Sequence, residues 1–346
     1  MDLERPFPMG IQHFRPPHCP RQGCPSQAAD GPPFHFWSRG RFHRACDGRT
    51  VHRFSCCVCK RCFSVQTFRV DYRLQRPQLT GPIFDAFVSK VTQRQTARIL
   101  STTRKTVRRR LLLLARHSRE FQTAVLERAR LRKIIHGPFQ LDEQQTFERD
   151  RRLQPVTFPV LIEEESFFVL HVEAGMLPAR GNLRPSDLLR KRRLEAKDGV
   201  RISESREVVK RCFEELARVR NPDEMTVIKT DKAPHYPGAL AETMSENVLH
   251  LRYSGKLKDT SSPLWPINFT LAMLRDGLSR LVRKTWAATK ERAWLTEHAW
   301  IWIAYRNYIR GFTNRQHRRS SAQCAGYVSR RFSKASFFEW RVLPIR

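Results

Sequence analysis

The apolar pattern changes from that of helices to that of strands near residue 137. Beyond Pro82, apolar residues recur three or four positions apart, which predicts a helix. These residues are Ile83, Phe84, Phe87, Val88 and Val91. A second helix is predicted at 93–100, a polar turn at 101–103 and a long basic helix from residue 104. A short helix, a tight turn and a longer helix form the pattern of a helix-turn-helix.

Past the helix break at Gly137 and Pro138, strands and helices both occur. Segments rich in β-branched and aromatic residues predict strands, and segments with helical apolar spacing predict helices. The predicted strands are 137–147, 155–164, 166–175, 225–231 and 247–254. The predicted helices are 207–220, 268–284 and 291–310, and the charged residues 178–203 predict a loop. We therefore expect an α/β fold for this part of the chain.

Charge is the strongest feature of the composition. The chain holds 64 Lys and Arg against 33 Asp and Glu, a formal net charge of +31 over 346 residues. This excess indicates a polyanionic partner, because cationic side chains that neutralise phosphates release condensed counterions. A nucleic-acid enzyme and a merely basic protein, such as a ribosomal one, are both compatible with it.

The most apolar segment, 293–309, is interrupted by Glu297, His298, Arg306 and Asn307. It is short for a membrane span and predicts a buried amphipathic helix instead. The acidic residues near the N-terminus, without an apolar stretch, do not fit a secretory signal. We therefore expect a cytoplasmic protein without a membrane partner.

Seven of the nine cysteines lie between residues 19 and 62, which favours a metal site over disulfides. Cys19 and Cys24 form one close pair. The second pair is either Cys56 with Cys59 or Cys59 with Cys62, and the sequence Arg-Phe-Ser-Cys-Cys-Val-Cys, similar to that of zinc ribbons, favours the former. Four thiolates would hold one structural zinc ion. Reduced structural cysteines are the alternative.

Two acidic residues stand at notable places in predicted strands. Asp142 lies within the first strand after Gly137, and Asp231 ends the strand 225–231. An acid at a strand end is usually a turn former. Three strands, a helix, a fourth strand ending in Asp and then long helices is also the order of an RNase H-like domain, in which the two acids lie side by side. Paired carboxylates there suit Mg²⁺.

The predicted long helix begins with a run of cations. In a helix-turn-helix, the first residues of the second helix enter the major groove and contact base edges or phosphates. The candidates are Arg104, Lys105, Arg108 and Arg109, with Arg110 next to them. A solvated basic helix face is the alternative.

Taken together, these residues resemble a bacterial insertion-sequence transposase with a zinc ribbon, a helix-turn-helix and a DDE (RNase H-like) catalytic domain. The resemblance extends from about Cys19 to Arg310. Four stretches carry it: RFSCCVCKRCFS with SVQTFRVDYR, LDEQ around Asp142, IKTDKAPHYP around Asp231, and MLRDGLSRLVRKTW at 273–286.

The resemblance implies that Asp142 and Asp231 are the first two metal-binding acids. The family's third acid follows an isoleucine on a late helix, and here the matching position is Asn268. Asparagine offers a carbonyl oxygen without a charge and holds a hard cation less tightly. Asp276 is an alternative third ligand, and Glu291 and Glu297 read as surface residues. His235 and His298 have no motif and are interpreted as structural.

Further cations are implied to contact DNA: Lys232, Arg275, Arg280, Arg283 and Lys284. A solvated face is again the alternative. The expected activity is binding of terminal inverted repeats, followed by phosphodiester hydrolysis and strand transfer with Mg²⁺ or Mn²⁺. An inactivated, DNA-binding derivative is the main alternative, and a basic RNA-binding protein is a weaker one. Expected partners are double-stranded DNA and further copies of the chain, in a dimer or higher assembly at the bacterial nucleoid.

The same resemblance implies the domain organisation. The expected segments are a disordered basic N-terminus at 1–17, a zinc ribbon at 18–75, a helix-turn-helix domain at 79–136, an RNase H-like catalytic domain at 137–312 and a basic, weakly structured tail at 313–346.

Overall fold

The computed structural model describes residues 14–27, 34–244, 246–254, 259–282, 290–313, 318–339 and 341. The chain forms two compact units. Unit 1 comprises Met1–Gly81 with Phe332–Arg346, and unit 2 comprises Pro82–Arg331.

Unit 1 is built on a three-stranded antiparallel sheet of β1 (Phe36–His43), β2 (Thr50–Cys56) and β3 (Cys62–Ser64), in that order. A 3₁₀ turn, Val65–Phe68, follows β3 within the segment SVQTFRVDY. One face of the sheet packs phenylalanines and cysteines into a small core. The rings of Phe54 and Phe63 lie 5.8 Å apart at its centre.

Unit 2 begins with three helices: α1 (Thr80–Val88, whose first two residues belong to unit 1), α2 (Gln93–Ile99) and α3 (Arg104–Leu131). Threonine side chains cap the last two, since Oγ1 of Thr92 accepts from the Gln95 amide at 3.3 Å and Oγ1 of Thr103 from the Thr106 amide at 3.1 Å. Such caps satisfy amides that have no partner within the helix. The helices, the turn after α2 and their boundaries agree with the apolar pattern.

The remainder of unit 2 surrounds a mixed sheet, which confirms the predicted α/β class. Its strands are β4 (Phe139–Phe147), β5 (Pro155–Glu163), β6 (Val169–Val172), β7 (Gly175–Met176), β8 (Thr226–Thr230) and β9 (Val248–Arg252). The order is β6-β5-β4-β8-β9, with β7 beside β5. β4, β5 and β6 are antiparallel neighbours, whereas β8 runs parallel to β4 and β9 parallel to β8.

The helices of this part are α5 (Ser205–Val219), α6 (His235–Ala241), α7 (Trp265–Gly277), α8 (Ser279–Val282), α9 (Arg292–Ala304) and α10 (Ser321–Cys324), of which α5, α7 and α9 pack on the sheet. A π-helical turn, Tyr305–Ile309, continues α9, so the apolar segment 293–309 is a largely buried helix. The predicted helix 268–284 is interrupted at Leu278, whose backbone is extended, and its last two residues lie outside the described ranges.

The charged segment 178–203 contains a helix, α4 (Pro185–Asp198), where the sequence predicts a loop. No residue of α4 is buried, so the apolar periodicity that marks other helices is missing. Ion pairs hold it instead, including Arg190 to Asp150 at 2.5 Å and Lys191 to Glu195 at 3.2 Å.

A buried polar network joins α3 to the sheet. The Gln122 side-chain amide donates to the carbonyls of Val169 and Leu170 on β6, at 2.7 and 2.8 Å. The side chain of Asn307 accepts from the Val169 amide at 3.1 Å and donates to Gln122 at 3.0 Å. These groups satisfy the backbone of an edge strand that water cannot reach. The helical segment and the sheet therefore belong to one compact unit.

The residues described beyond 313 are more ordered than the predicted weak tail. Ser320 and Ser321 are fully buried beside α10 in unit 2. In unit 1, α11 (Lys334–Phe337) buries Phe337, and the Arg341 amide donates to the Phe68 carbonyl at 2.7 Å. The segment is rich in Arg and Ser and has no apolar periodicity that would predict this burial.

The close approach of α7 and α9 gives a stability prediction. A methyl group on Gly277 would collide with the indole nitrogen of the buried Trp302. Gly277→Ala should lower the free energy of unfolding by about 1–3 kcal/mol, because overpacking forces the helices apart. Gly81→Ala is the control, since Gly81 is also helical and a methyl group added there meets open space. Urea unfolding measures both, and equal stability of the two variants would contradict this packing.

Candidate metal centres and nucleic-acid interface

Four cysteine sulfurs of unit 1 meet in one place. Cys19, Cys24, Cys56 and Cys59 offer sulfur atoms that all lie within 4.8 Å of one another. The Cys19 and Cys59 sulfurs are 3.5 Å apart and those of Cys24 and Cys56 are 3.9 Å apart. Sulfurs bound to one tetrahedral zinc ion at about 2.3 Å lie about 3.8 Å from each other. The cluster therefore has the dimensions of a zinc site and could hold such an ion.

The protonation of these thiols also suits a metal. Burial raises the pKa of Cys59, but hydrogen bonds from the Arg61 amide and the neighbouring thiols outweigh this effect and lower the pKa to about 7. Burial raises the pKa of Cys19, so its thiol would keep its proton without a cation beside it. A divalent ion would favour the thiolate form of every sulfur in the cluster.

Cys62, the alternative ligand, is not part of this cluster. It is exposed at the start of β3 and pairs with Ser55 across the sheet. Since Cys56 is the residue after Ser55 on β2, its side chain lies on the opposite face from that of Cys62. Cys46 is likewise exposed, and its sulfur accepts from Nε of Arg44 at 2.8 Å.

Continued beyond its observed pairs, the strand register predicts that Asp142 and Asp231, the residue after β8, lie at the same level of the mixed sheet. β4 pairs with β8 at Phe139 with Ile228 and at Gln140 with Lys229. The same offset, carried forward, aligns Asp142 with Asp231. Neighbouring strands lie about 4.8 Å apart, so two such carboxylates can approach one cation. Both residues are partly exposed, as a substrate-accessible site requires.

The buried hydroxyl of Tyr236 is affected by the negative charge of the carboxylates in this region. Burial raises the pKa of its phenol, and so do the nearby carboxylates of Glu143, Asp142 and Asp231. Both aspartates therefore act on one buried hydroxyl. Backbone amides orient them: Asp142 accepts from the Glu143 amide at 2.7 Å and Asp231 from the Ala233 amide at 2.9 Å.

Gln140 fixes the start of α7 over this part of the sheet. Its side chain donates to the Pro263 carbonyl at 2.8 Å and accepts from the Ile267 amide at 3.0 Å. Residues two apart on a strand share a face, so Gln140 and Asp142 point toward the same side. Asn268 follows Ile267 in the first turn of α7. Gln140, which binds that turn, lies two residues before Asp142 on β4.

Asp276, the alternative third ligand, lies near the other end of α7. Eight residues separate it from Asn268, which is about 12 Å along a helix axis. Its carboxylate pairs with Lys90, and it lines a cavity with Gln145, Thr146 and Phe147 at the far end of β4. Glu291 and Glu297 are also engaged elsewhere, Glu297 with Arg119 at 2.8 Å.

The opposite face of β4 carries a second polar cluster that sequence reasoning missed. The Glu143 carboxylate contacts Nε2 of His235 at 2.6 Å, Oγ1 of Thr157 at 2.5 Å and Oγ of Ser205. Burial would raise the pKa of Glu143, yet these hydrogen bonds lower it. The cluster ties β4 to α6, four residues after Asp231, and so helps to fix the spacing of the two aspartates.

The two histidines interpreted as structural differ in their surroundings. His298 is buried, and its Nε2 donates to the Phe87 carbonyl at 2.8 Å. Burial, aided by the charge of Arg280, lowers its pKa to about 3, so it is neutral. His235 instead supports the site through Glu143. No motif signals this contact, and the one hint in the sequence is that His235 follows Asp231 by four residues, at the start of α6.

The cations predicted on α3 are exposed at its N-terminal end. Arg104, Lys105, Arg108 and Arg109 lie within the first two turns of α3, on the solvent side. Arg108 differs from the others, because its guanidinium lies 4.6 Å from the Trp294 ring. Arg110 is buried. An exposed, capped helix end with adjacent cations suits phosphate contacts.

The cations predicted near the candidate acids Asp142 and Asp231 occupy different environments. Lys232 and Arg275 are exposed, and the Lys232 carbonyl accepts from Arg252 at 2.8 Å. Arg280 is largely desolvated, which lowers its pKa to about 10 despite the charge of Glu291. The Arg280 guanidinium is therefore surrounded mostly by protein, whereas the Lys232 side chain is exposed to solvent. The remaining two, Arg283 and Lys284, lie outside the described residues.

Of the helices that the structure describes, none combines the length and the apolar character needed to cross a bilayer.

Comparison with known proteins gives distant structural likeness alone. No protein-family model and no curated protein match the chain. The catalytic domain of the Mos1 mariner transposase is 15% identical, with 56% of this chain and 87% of that chain covered at a TM-score of 0.25. The Mos1 strand transfer complex is 14% identical, with 64% and 75% covered at a TM-score of 0.25. At this level the two structures assign neither family nor activity to this chain.

The cysteine cluster gives a metal-content prediction. We expect about one zinc ion per chain, and Cys19→Ser should release it and unfold unit 1, because a structural zinc contributes directly to folding. Cys62→Ser is the control and should keep both the ion and the fold. Mass spectrometry of the metal and limited proteolysis measure the two effects. Retention of zinc by Cys19→Ser would remove this residue from the site.

Proposed function

We propose that the chain is a DNA transposase whose sheet domain is RNase H-like and whose catalytic centre is formed by Asp142, Asp231 and Asn268. The parallel register of β4 with β8, whose continuation aligns Asp142 with Asp231 just after β8, carries this proposal. The sheet supports it, since three antiparallel strands are followed by two parallel ones on the side of β4. The proposed reaction is phosphodiester hydrolysis at the ends of an element, followed by strand transfer.

In this proposal the residues hold Mg²⁺ or Mn²⁺ through oxygen atoms. Asp142 and Asp231 supply carboxylates, and Asn268 supplies its side-chain carbonyl. Such an ion polarises a phosphoryl oxygen and lowers the pKa of a bound water, which makes the phosphodiester easier to attack. The Glu143 cluster and Gln140 would help to position these ligands. The Glu143 cluster ties β4 to α6, which follows Asp231, and Gln140 ties β4 to α7, which carries Asn268.

Cationic groups would hold the DNA backbone against this acidic centre. Lys232 follows Asp231 directly, and Arg275 lies on the exposed side of α7. The first turns of α3 would dock in a major groove of the terminal repeat, with Arg104, Lys105 and Arg109 contacting bases or phosphates. In the same proposal the metal-bound unit 1 also contacts DNA, and the complex contains at least two copies of the chain. The expected site of action is the bacterial nucleoid.

A second candidate function is DNA binding without chemistry. The observation that favours it is Asn268, since a neutral amide replaces a carboxylate at the implied third position. Two carboxylates hold hard cations less tightly than three. A protein that lost transposition could keep the contacts of α3 and of unit 1.

Cleavage assays distinguish the two functions. Labelled duplexes carrying the sequences that flank the gene should be nicked and joined in the presence of Mg²⁺ or Mn²⁺. Asp142→Asn and Asp231→Asn should each reduce the rate by about a hundredfold or more, because each removes a charged ligand. Asp223→Asn is the control, as this exposed acid forms a surface ion pair with Lys133 at 2.5 Å. Asn268→Asp should retain or raise the activity.

Two outcomes would decide against the enzyme. One is end binding without nicking by the wild type and by Asn268→Asp alike. The other is nicking that Asp142→Asn leaves unchanged, which would point to a different nuclease in the preparation.

DNA recognition by α3 is tested by binding. Arg104→Ala should weaken binding to the flanking sequences about tenfold and binding to random duplex less, if Arg104 contacts a base. Arg116→Ala is the matched control, since Arg116 is an exposed arginine further along α3 that pairs with Glu120. Fluorescence anisotropy at fixed salt measures each affinity. Equal losses on both duplexes would reduce Arg104 to a phosphate contact.

A further inference from the structure

Unit 1 contains a cavity of about 570 Å³ on the sheet face that is turned away from its core. The strand register places Phe42, Arg53, Cys62 and Ser64 on this face, because Phe42 pairs with Val51, Arg53 with Ser64 and Ser55 with Cys62. The cavity has the size of sites that accept a small organic ligand or a nucleotide.

The walls of the cavity are strongly cationic. Arg21, Arg53, Arg61 and Arg73 line it, and all four are exposed. Among the described residues that line it, none is an Asp or Glu. Asp71, which precedes the lining residue Tyr72, is buried and is bound by Arg49 at 3.2 Å and Arg69 at 3.0 Å. The cavity therefore presents uncompensated positive charge to an incoming anion.

Aromatic rings accompany these cations. Phe42 is 40% exposed, which is unusual for a phenylalanine in a sheet that has its own core. Tyr72 also lines the cavity, and the Arg73 guanidinium lies 5.2 Å from its ring. Exposed rings beside arginines on a sheet surface bind single-stranded nucleic acid, since unpaired bases stack on the rings and phosphates contact the cations.

We propose that this cavity binds an unpaired nucleotide of a single-stranded DNA segment, with its base on Phe42 and its phosphates at Arg53 and Arg61. A duplex does not fit this chemistry, because its bases are stacked on each other and cannot reach a ring. The inference rests on the nucleic-acid binding in the proposed function, whose strand cleavage would produce such unpaired segments. It does not require the catalytic carboxylates.

The test uses the full chain and two fluorescein-labelled probes, without Mg²⁺. One probe is an oligodeoxythymidylate of about eight nucleotides, and the other is a fully abasic strand of the same length. Wild type should bind the complete probe about tenfold or more tightly than the abasic one, because stacking contributes in the first case alone. Phe42→Ala should abolish this difference, and Phe42→Trp should keep it.

Arg53→Ala should weaken the binding of both probes alike, since it contacts phosphates. Arg15→Ala is the charge-matched control, because Arg15 lies over the Phe36 ring on the core side of the sheet. It should change neither affinity beyond the loss expected for one remote charge. An unchanged limited-proteolysis pattern verifies that each variant is folded.

Three results would overturn the proposal: equal affinity of wild type for the two probes, a base dependence that survives in Phe42→Ala, or full competition by a blunt duplex of the same length. The measurement is repeated in Asp142→Asn. Base-dependent binding there, together with absent cleavage activity in the wild type, would reject the catalytic proposal alone and leave the cavity assigned.

Discussion

The parallel pairing of β4 with β8 is the contact on which the candidate catalytic site depends. It joins residues about ninety positions apart in the sequence, and two paired positions, at Phe139 and Gln140, set the offset. A change of register by one residue would turn Asp142 to the other face of the sheet. The buried side chain of Gln140 stabilises this register, because it also binds the backbone that begins α7. One strand thus positions two other segments.

The alternation of side chains along β4 explains why adjacent acids have separate tasks. Asp142 and Glu143 point to opposite faces. Glu143 is enclosed by hydrogen-bond donors that compensate for its burial, whereas Asp142 remains partly exposed. An acidic pair in a chain of net charge +31 is therefore not a local excess of charge. Glu143 joins β4 to α6 through its hydrogen bonds, and Asp142 lies on the other face of the strand.

The sequence predicts those parts of the fold that have a strong local pattern. Helices α2 and α3, the strands of the mixed sheet and the cysteine pair Cys56–Cys59 all follow from spacing and residue type. Helix α4 could not be predicted, because ion pairs hold it and no apolar stripe marks it. The contacts of His235 and Gln140 could not be predicted either, since they join segments distant in sequence. The cavity around Phe42 follows from a register that sequence does not reveal.

The charge at the proposed centre links metal binding to DNA binding. Two carboxylates supply a charge of −2, which balances a single divalent ion, and Asn268 adds an oxygen without charge. A second ion, as two-metal phosphoryl transfer uses, would be uncompensated until a phosphodiester contributes its own negative oxygens. The positive potential of the surrounding cations repels a metal ion and attracts the phosphates of DNA at the same place. The substrate would then complete the site, which makes metal affinity in the absence of DNA a poor measure of its competence.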